Sequence, residues 1–91
     1  MLSFKTFDEV IERANNHELG LSSYICTNNM EKAHKASELM ETGTVAVNTP
    51  LVAIAEAPFG GIKQAGYGRE GGSMAIKDYL NVKYTHLGLK G

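Results

Sequence analysis

Gly43-Thr44-Val45-Ala46-Val47-Asn48 is the stretch on which the fold turns. Its centre is an uninterrupted run of small and β-branched residues with no polar alternation, the pattern of a strand covered on both faces. Upstream, Ser22-Ser23-Tyr24-Ile25-Cys26 is a second short run, bounded by Gly20 and by Asn28-Asn29, and it also reads as a strand. Between the two, Asn28 or Asn29 caps a helix whose apolar side is Met30, Ala33, Ser37 and Met40, with Ala36 and Leu39 alongside, and Gly43 ends it. A first helix is expected over residues 6–16. There Thr6 caps, Glu9 completes a capping box, Asp8 and Glu9 suit the positive end of the dipole, and Phe7, Val10, Ile11 and Ala14 share a face. Leu19-Gly20-Leu21 is expected to turn the chain, with Gly20 carrying a positive φ.

Helix, strand, helix, strand with short links is the signature of an α/β layer with a parallel sheet. Two strands do not make a stable parallel sheet, so the sequence asks for strands it does not contain. Both prolines and most of the glycines fall in residues 49–72, yet Leu51, Val52, Ile54, Phe59 and Ile62 are too apolar for a disordered linker. That segment reads as a packed functional loop. A third helix is expected from about Ser73 to Leu80, with Met74, Ala75, Ile76, Tyr79 and Leu80 on its apolar side. In residues 81–87, Val82, Tyr84 and His86 alternate with Lys83 and Thr85, as in a strand with one wetter face. A terminal strand of this kind is a candidate for pairing with another subunit.

The chain has 91 residues, of which 43% are hydrophobic and 21% charged, enough for one small and marginal domain. A single cysteine excludes an intrachain disulfide, and no Cys/His cluster points to a metal, which leaves association as the route to stability. Nine basic residues scattered among ten acidic ones, for a net charge of −1, give no nucleic-acid stripe. Neither a membrane span nor a signal peptide is supported by the apolar runs, and a cytoplasmic location is the default expectation.

Residues 66–71, Gly-Tyr-Gly-Arg-Glu-Gly, match the dinucleotide pattern G-x-G-x-x-G. The pattern works by placing pyrophosphate at a helix N-terminus directly after a strand, and here more loop precedes it, so phosphate binding is not expected. Cys26, at a strand end without a neighbouring His, reads as a small core residue rather than a nucleophile. His17, His34 and His86 read as surface or satisfied side chains. Glu56 and Glu70 share a loop, but spacing alone assigns no acid/base pair.

Beyond these patterns, three blocks resemble in order and spacing the closing stretch of the aldehyde dehydrogenase superfamily. They are Asn15-Asn16 with Glu18-Leu19-Gly20-Leu21-Ser22-Ser23-Tyr24, then residues 43–48, then Pro58-Phe59-Gly60-Gly61-Ile62-Lys63-Gln64-Ala65-Gly66-Tyr67-Gly68-Arg69-Glu70-Gly71. The last block is the most specific, and the flavour is similar to the succinate-semialdehyde dehydrogenase-like branch.

The resemblance implies an α/β fold: a partial three-layer Rossmann-like catalytic domain over residues 1–80, with an oligomerisation tail strand over 81–91. It implies that Phe59 lines the tunnel by which the aldehyde arrives, that the loop of residues 51–57, with Ala53 and Ile54, shapes the aldehyde pocket, and that Glu70 lies on a water-linked proton path. Arg69 is implied near a subunit interface, and Val82, Tyr84 and His86 in the tail that joins a neighbour's sheet in a homo-oligomer. In the intact enzyme, NAD or NADP receives hydride after a cysteine thiolate adds to the aldehyde, and an activated water hydrolyses the thioester. The cysteine, the general-base glutamate, the oxyanion asparagine and the nucleotide-binding domain have no counterpart here. The chain alone is therefore expected to bind no cofactor and to be inactive. The loop 51–57 carries no hydroxyl, so an apolar or uncharged aldehyde end is expected beside it. The competing reading is a stand-alone, truncated product that acts as a self-associating interaction module.

Overall fold

The first helix begins where the chain has both a cap and a reason to leave it. In a computed structural model, which describes residues 1–89, α1 spans Phe7–Asn15, with the Thr6 hydroxyl accepting from the Glu9 N–H at 3.1 Å. Glu9 Oε2 in return accepts from the Lys5 N–H at 3.1 Å, one residue earlier than a standard capping box. A short strand β1, Leu19–Gly20, follows, then β2, Ser22–Ile25. Helix α2, Met30–Leu39, is capped by Asn29, whose Oδ1 accepts from the Lys32 N–H at 3.0 Å. It stops well before Gly43, because the Asn15 side chain closes its end: Asn15 Nδ2 donates to Leu39 O and Asn15 Oδ1 accepts from the Glu41 N–H, both at 2.8 Å. Strand β3 is Thr44–Val47 and β4 is Ile62–Lys63.

Strands β2 and β3 pair in parallel, from Ser22 opposite Thr44 to Ile25 opposite Val47, as the strand–helix–strand pattern requires. A second pairing, antiparallel between β1 and β4, sets Leu19 opposite Lys63 and Gly20 opposite Ile62. Gly20 is therefore a strand residue and not the positive-φ turn expected of it. A Cβ there would lie 2.8 Å from Ile62 Cγ1 and 3.0 Å from Glu41 O, so what the position requires is close approach.

Little of the chain is enclosed. Among the described residues, the buried ones are Ser23 of β2, Ala33 and Ala36 of α2, Ala46 of β3 and the three glycines Gly20, Gly60 and Gly61. Coverage of β3 on both faces is not realised, since its remaining residues are only half-buried. Tyr24, opposite Ala46 in the register, is 58% exposed. Cys26 is also exposed, correcting the expectation of a core residue: it lies one residue past the end of β2 at Ile25.

The C-terminal part differs most from expectation. The helix over 73–80 is a five-residue 3-10 turn, Ala75–Tyr79, held by i to i+3 bonds such as Lys77 N–H to Met74 O at 3.1 Å and lacking a side-chain cap. Residues 81–89 form no strand: they run without a ladder partner, Val82 wholly exposed at 102%. The radius of gyration is 18.9 Å, against about 12 Å for a compact chain of this length, and the surface is 7905 Å² against about 5200 Å².

Candidate functional site

Residues 54–72 form a loop closed at its base. The Gly72 N–H donates to Ala55 O at 2.8 Å, and the Ala57 N–H to Ile54 O at 3.3 Å. Further in, Phe59 and Glu70 face one another across a two-bond antiparallel bridge, Phe59 N–H to Glu70 O at 2.6 Å and Glu70 N–H to Phe59 O at 2.7 Å. The return of the chain depends on Gly71 and Gly72, which take φ values of 70° and 64°. That is left-handed space, which other residues enter at a cost, and a Cβ on Gly71 would also stand 2.7 Å from Ala57 O.

The bridge brings three of the expected site residues to one cleft of about 350 Å³, where Phe59, Arg69 and Glu70 line the wall with Leu21, Asp78 and Tyr79. Phe59 is half-buried, and Glu70 is exposed. Arg69 is turned onto its own loop, Nη1 donating to Gly61 O at 2.8 Å and to Gly68 O at 3.0 Å. Ala53 and Ile54 do not line this cleft and are exposed. Val82, Tyr84 and His86 stand apart on the tail, where the Tyr84 hydroxyl and His86 Nδ1 are 3.1 Å apart, on the same side as the period of two demands.

Two contributors went unassigned in the sequence. Lys63 anchors the loop to the other end of the fold: its ammonium donates to Asn15 O at 3.0 Å and His17 O at 3.3 Å, with Glu41 Oε1 at 3.7 Å. Its φ of 55° is unusual for a lysine and marks the bend after β4. Asp78 accepts from the Arg69 N–H at 2.7 Å. Lys63 lies within the quoted glycine-rich block; nothing local flagged Asp78.

The glycine-rich pattern does not fit a dinucleotide phosphate. A phosphate cradle needs free backbone N–H groups at the start of a helix. Here the Arg69 N–H is held by Asp78, the Glu70 N–H by Phe59 and the Gly72 N–H by Ala55, and the turn that follows is a short 3-10 piece. His17 is satisfied, its Nδ1 accepting from the Leu19 N–H at 3.1 Å.

A second opening, about 500 Å³, lies between α1, β2 and α2, with Phe7, Val10, Ile11, Met40 and Cys26 on its walls. No helix is long and apolar enough to cross a membrane among the described residues.

The model of the aldehyde dehydrogenase family matches residues 1–85. The chain belongs to that family. Among curated aldehyde dehydrogenases, 3-sulfolactaldehyde dehydrogenase of Pseudomonas putida is 47% identical over 88 residues, covering 97% of this chain and 18% of that protein. Mitochondrial succinate-semialdehyde dehydrogenase of Arabidopsis thaliana is 42% identical over 88 residues, covering 97% and 17%. Among solved structures, the NAD+ complex of the Bacillus cereus aldehyde dehydrogenase superposes with a TM-score of 0.86 at 45% identity, covering 90% of this chain and 17% of that one. The fold is thus that of an aldehyde dehydrogenase segment with α/β content, and the chain spans less than a fifth of the length of these relatives.

Proposed function

We propose that this chain is the C-terminal portion of the catalytic domain of an NAD(P)-dependent aldehyde dehydrogenase, of the succinate-semialdehyde dehydrogenase-like branch, and that it is inactive by itself. The observation that carries the reading is the Phe59–Glu70 bridge, which holds a half-buried aromatic and an exposed carboxylate at one cleft in a loop of the family's glycine-rich type. Phe59 walls the aldehyde tunnel, Glu70 stands on the water-linked proton path, and Ala53 and Ile54 border the pocket. The cysteine nucleophile, the general base, the oxyanion asparagine and the NAD or NADP site belong to other parts of the longer enzyme. The sparse core and the open parallel pair support that division, since both need covering by more chain. The enzyme is cytoplasmic and homo-oligomeric, with Arg69 near a subunit contact and the tail at Val82, Tyr84 and His86 joining a neighbouring subunit. The hydroxyl-free loop 51–57 favours an apolar or uncharged aldehyde end; preference of the intact enzyme for an anionic semialdehyde would reject that part.

Complementation tests the reading. The 91-residue chain is assayed for reduction of NAD+ and NADP+ with a panel of aldehydes, alone and co-produced with the Bacillus cereus enzyme lacking the matching segment. Activity is expected only from the pair, and Phe59→Ala is expected to alter KM across aldehyde sizes. Turnover by the isolated chain, or no recovery in the pair, would overturn it.

A second reading is favoured by the extended shape: the chain self-associates as a stand-alone module through its tail and open strand edges.

A further inference from the structure

The pattern at residues 66–71 is not left without a ligand, because the chain supplies an anion of its own. Asp78 Oδ2 accepts from the Arg69 N–H at 2.7 Å, within the range of charge-assisted hydrogen bonds. The neighbouring glycine is explained by the same carboxylate. Gly68 has no positive φ, so backbone conformation does not require glycine there. Among the described residues, a Cβ added at Gly68 would meet only Asp78, with Oδ2 at 3.0 Å and Cγ at 3.7 Å. Glycine at 68 therefore makes room for a side chain of the chain itself. One residue further on, the two backbone bonds between Glu70 and Phe59 begin. The Arg69 guanidinium grips Gly61 O and Gly68 O, so residue 69 is held at both its backbone and its side chain.

We propose that Asp78 is a positioning residue, a carboxylate latch from the 3-10 turn that fixes the Arg69 backbone and through it the Phe59–Glu70 pair. The latch gives Phe59 and Glu70 their functional meaning only on the reading of those residues above. Its geometry is tested without any dehydrogenase activity, so the two can fail separately.

Backbone amide hydrogen exchange, resolved by NMR on the 91-residue chain, reads the latch. In the unaltered chain the Arg69 amide is protected. Asp78→Ala raises its exchange about tenfold, with a smaller rise at Glu70, while the amides of α1 and α2 are unchanged. Asp78→Asn keeps an acceptor oxygen and restores most of the protection. Gly68→Ala raises Arg69 exchange when Asp78 is present and adds nothing in the Asp78→Ala background, the non-additivity of two groups in direct contact. The proposal is overturned by an unprotected Arg69 amide in the unaltered chain or by an equal effect of Gly68→Ala in both backgrounds. Loss of protection that spreads equally through both helices also overturns it.

Discussion

Gly43→Ala should disturb the glycine-rich loop more than any other single methyl. Gly43 immediately precedes β3, with its N–H donating to Gly20 O at 2.9 Å, and its Cα faces the loop. A Cβ built there overlaps the Gly60 carbonyl oxygen and comes within 2.7 Å of the Gly60 carbon and 3.0 Å of Gly61 Cα. All three are backbone atoms, so no rotamer change relieves the contact. Moving the carbon alone from 2.7 Å out to ordinary contact at 3.4 Å takes a displacement of 0.7 Å, and the oxygen must go farther. Gly61 O is the acceptor of the 2.8 Å bond from Arg69 Nη1, so the shift reaches the Phe59–Glu70 bridge through residues already held to one another. Overpacking of this kind costs about 1–3 kcal/mol, which as a local opening equilibrium is about a 5- to 150-fold change. Amide exchange at Phe59 and Glu70 should accelerate by that factor, with Val10 and Ile11 in α1 as internal controls. Unchanged exchange at the bridge would refute the seating of the loop on the start of β3.

Removal of residues 81–91 should lower the assembly state seen by light scattering while leaving helical circular dichroism nearly unchanged; an intact chain that already runs as a compact monomer would contradict the role given to the tail. Lys63→Met keeps the aliphatic stem but loses the bonds to Asn15 O and His17 O, and should destabilise the β1–β4 pairing by about 1 kcal/mol. Faster exchange at Gln64, whose N–H donates to Glu18 O, is the readout, and an unchanged rate would show that the ammonium is only a surface charge.

The parallel pair was legible because its two runs of strand-forming residues flank a capped helix, and every signal used there is local: Asn29 at the cap, β-branched residues at Val45 and Val47. Both helix starts were legible for the same reason. The end of α2 was not, because it is set by Asn15, far away in sequence, and Gly43 serves a contact with Gly60 instead of a cap. Strands β1 and β4 are two residues each, too short for any periodicity to reveal, and Gly20 looked like a turn for want of its distant partner Ile62. Phe59, Arg69 and Glu70 were singled out through the resemblance of a block of sequence, and their meeting at one cleft follows from the bridge. Alternation at Val82, Tyr84 and His86 led to the expectation of a strand, but a strand needs a ladder partner, which alternation cannot supply and which residues 81–89 do not have.

Two backbone bonds fasten residue 59 to residue 70, and they carry a consequence for how such a loop changes over generations. A bulkier or smaller side chain at 59 that shifts its own main chain drags the carboxylate at 70 with it, because main-chain bonds move as a unit where side-chain contacts can slide. Whatever tasks the two positions hold are therefore geared together. Substitutions that adjust one without the other must act beyond the main chain at Cβ, leaving the bridge untouched, so variation at 59 should favour aromatic and branched shapes of similar reach over changes that re-route the chain.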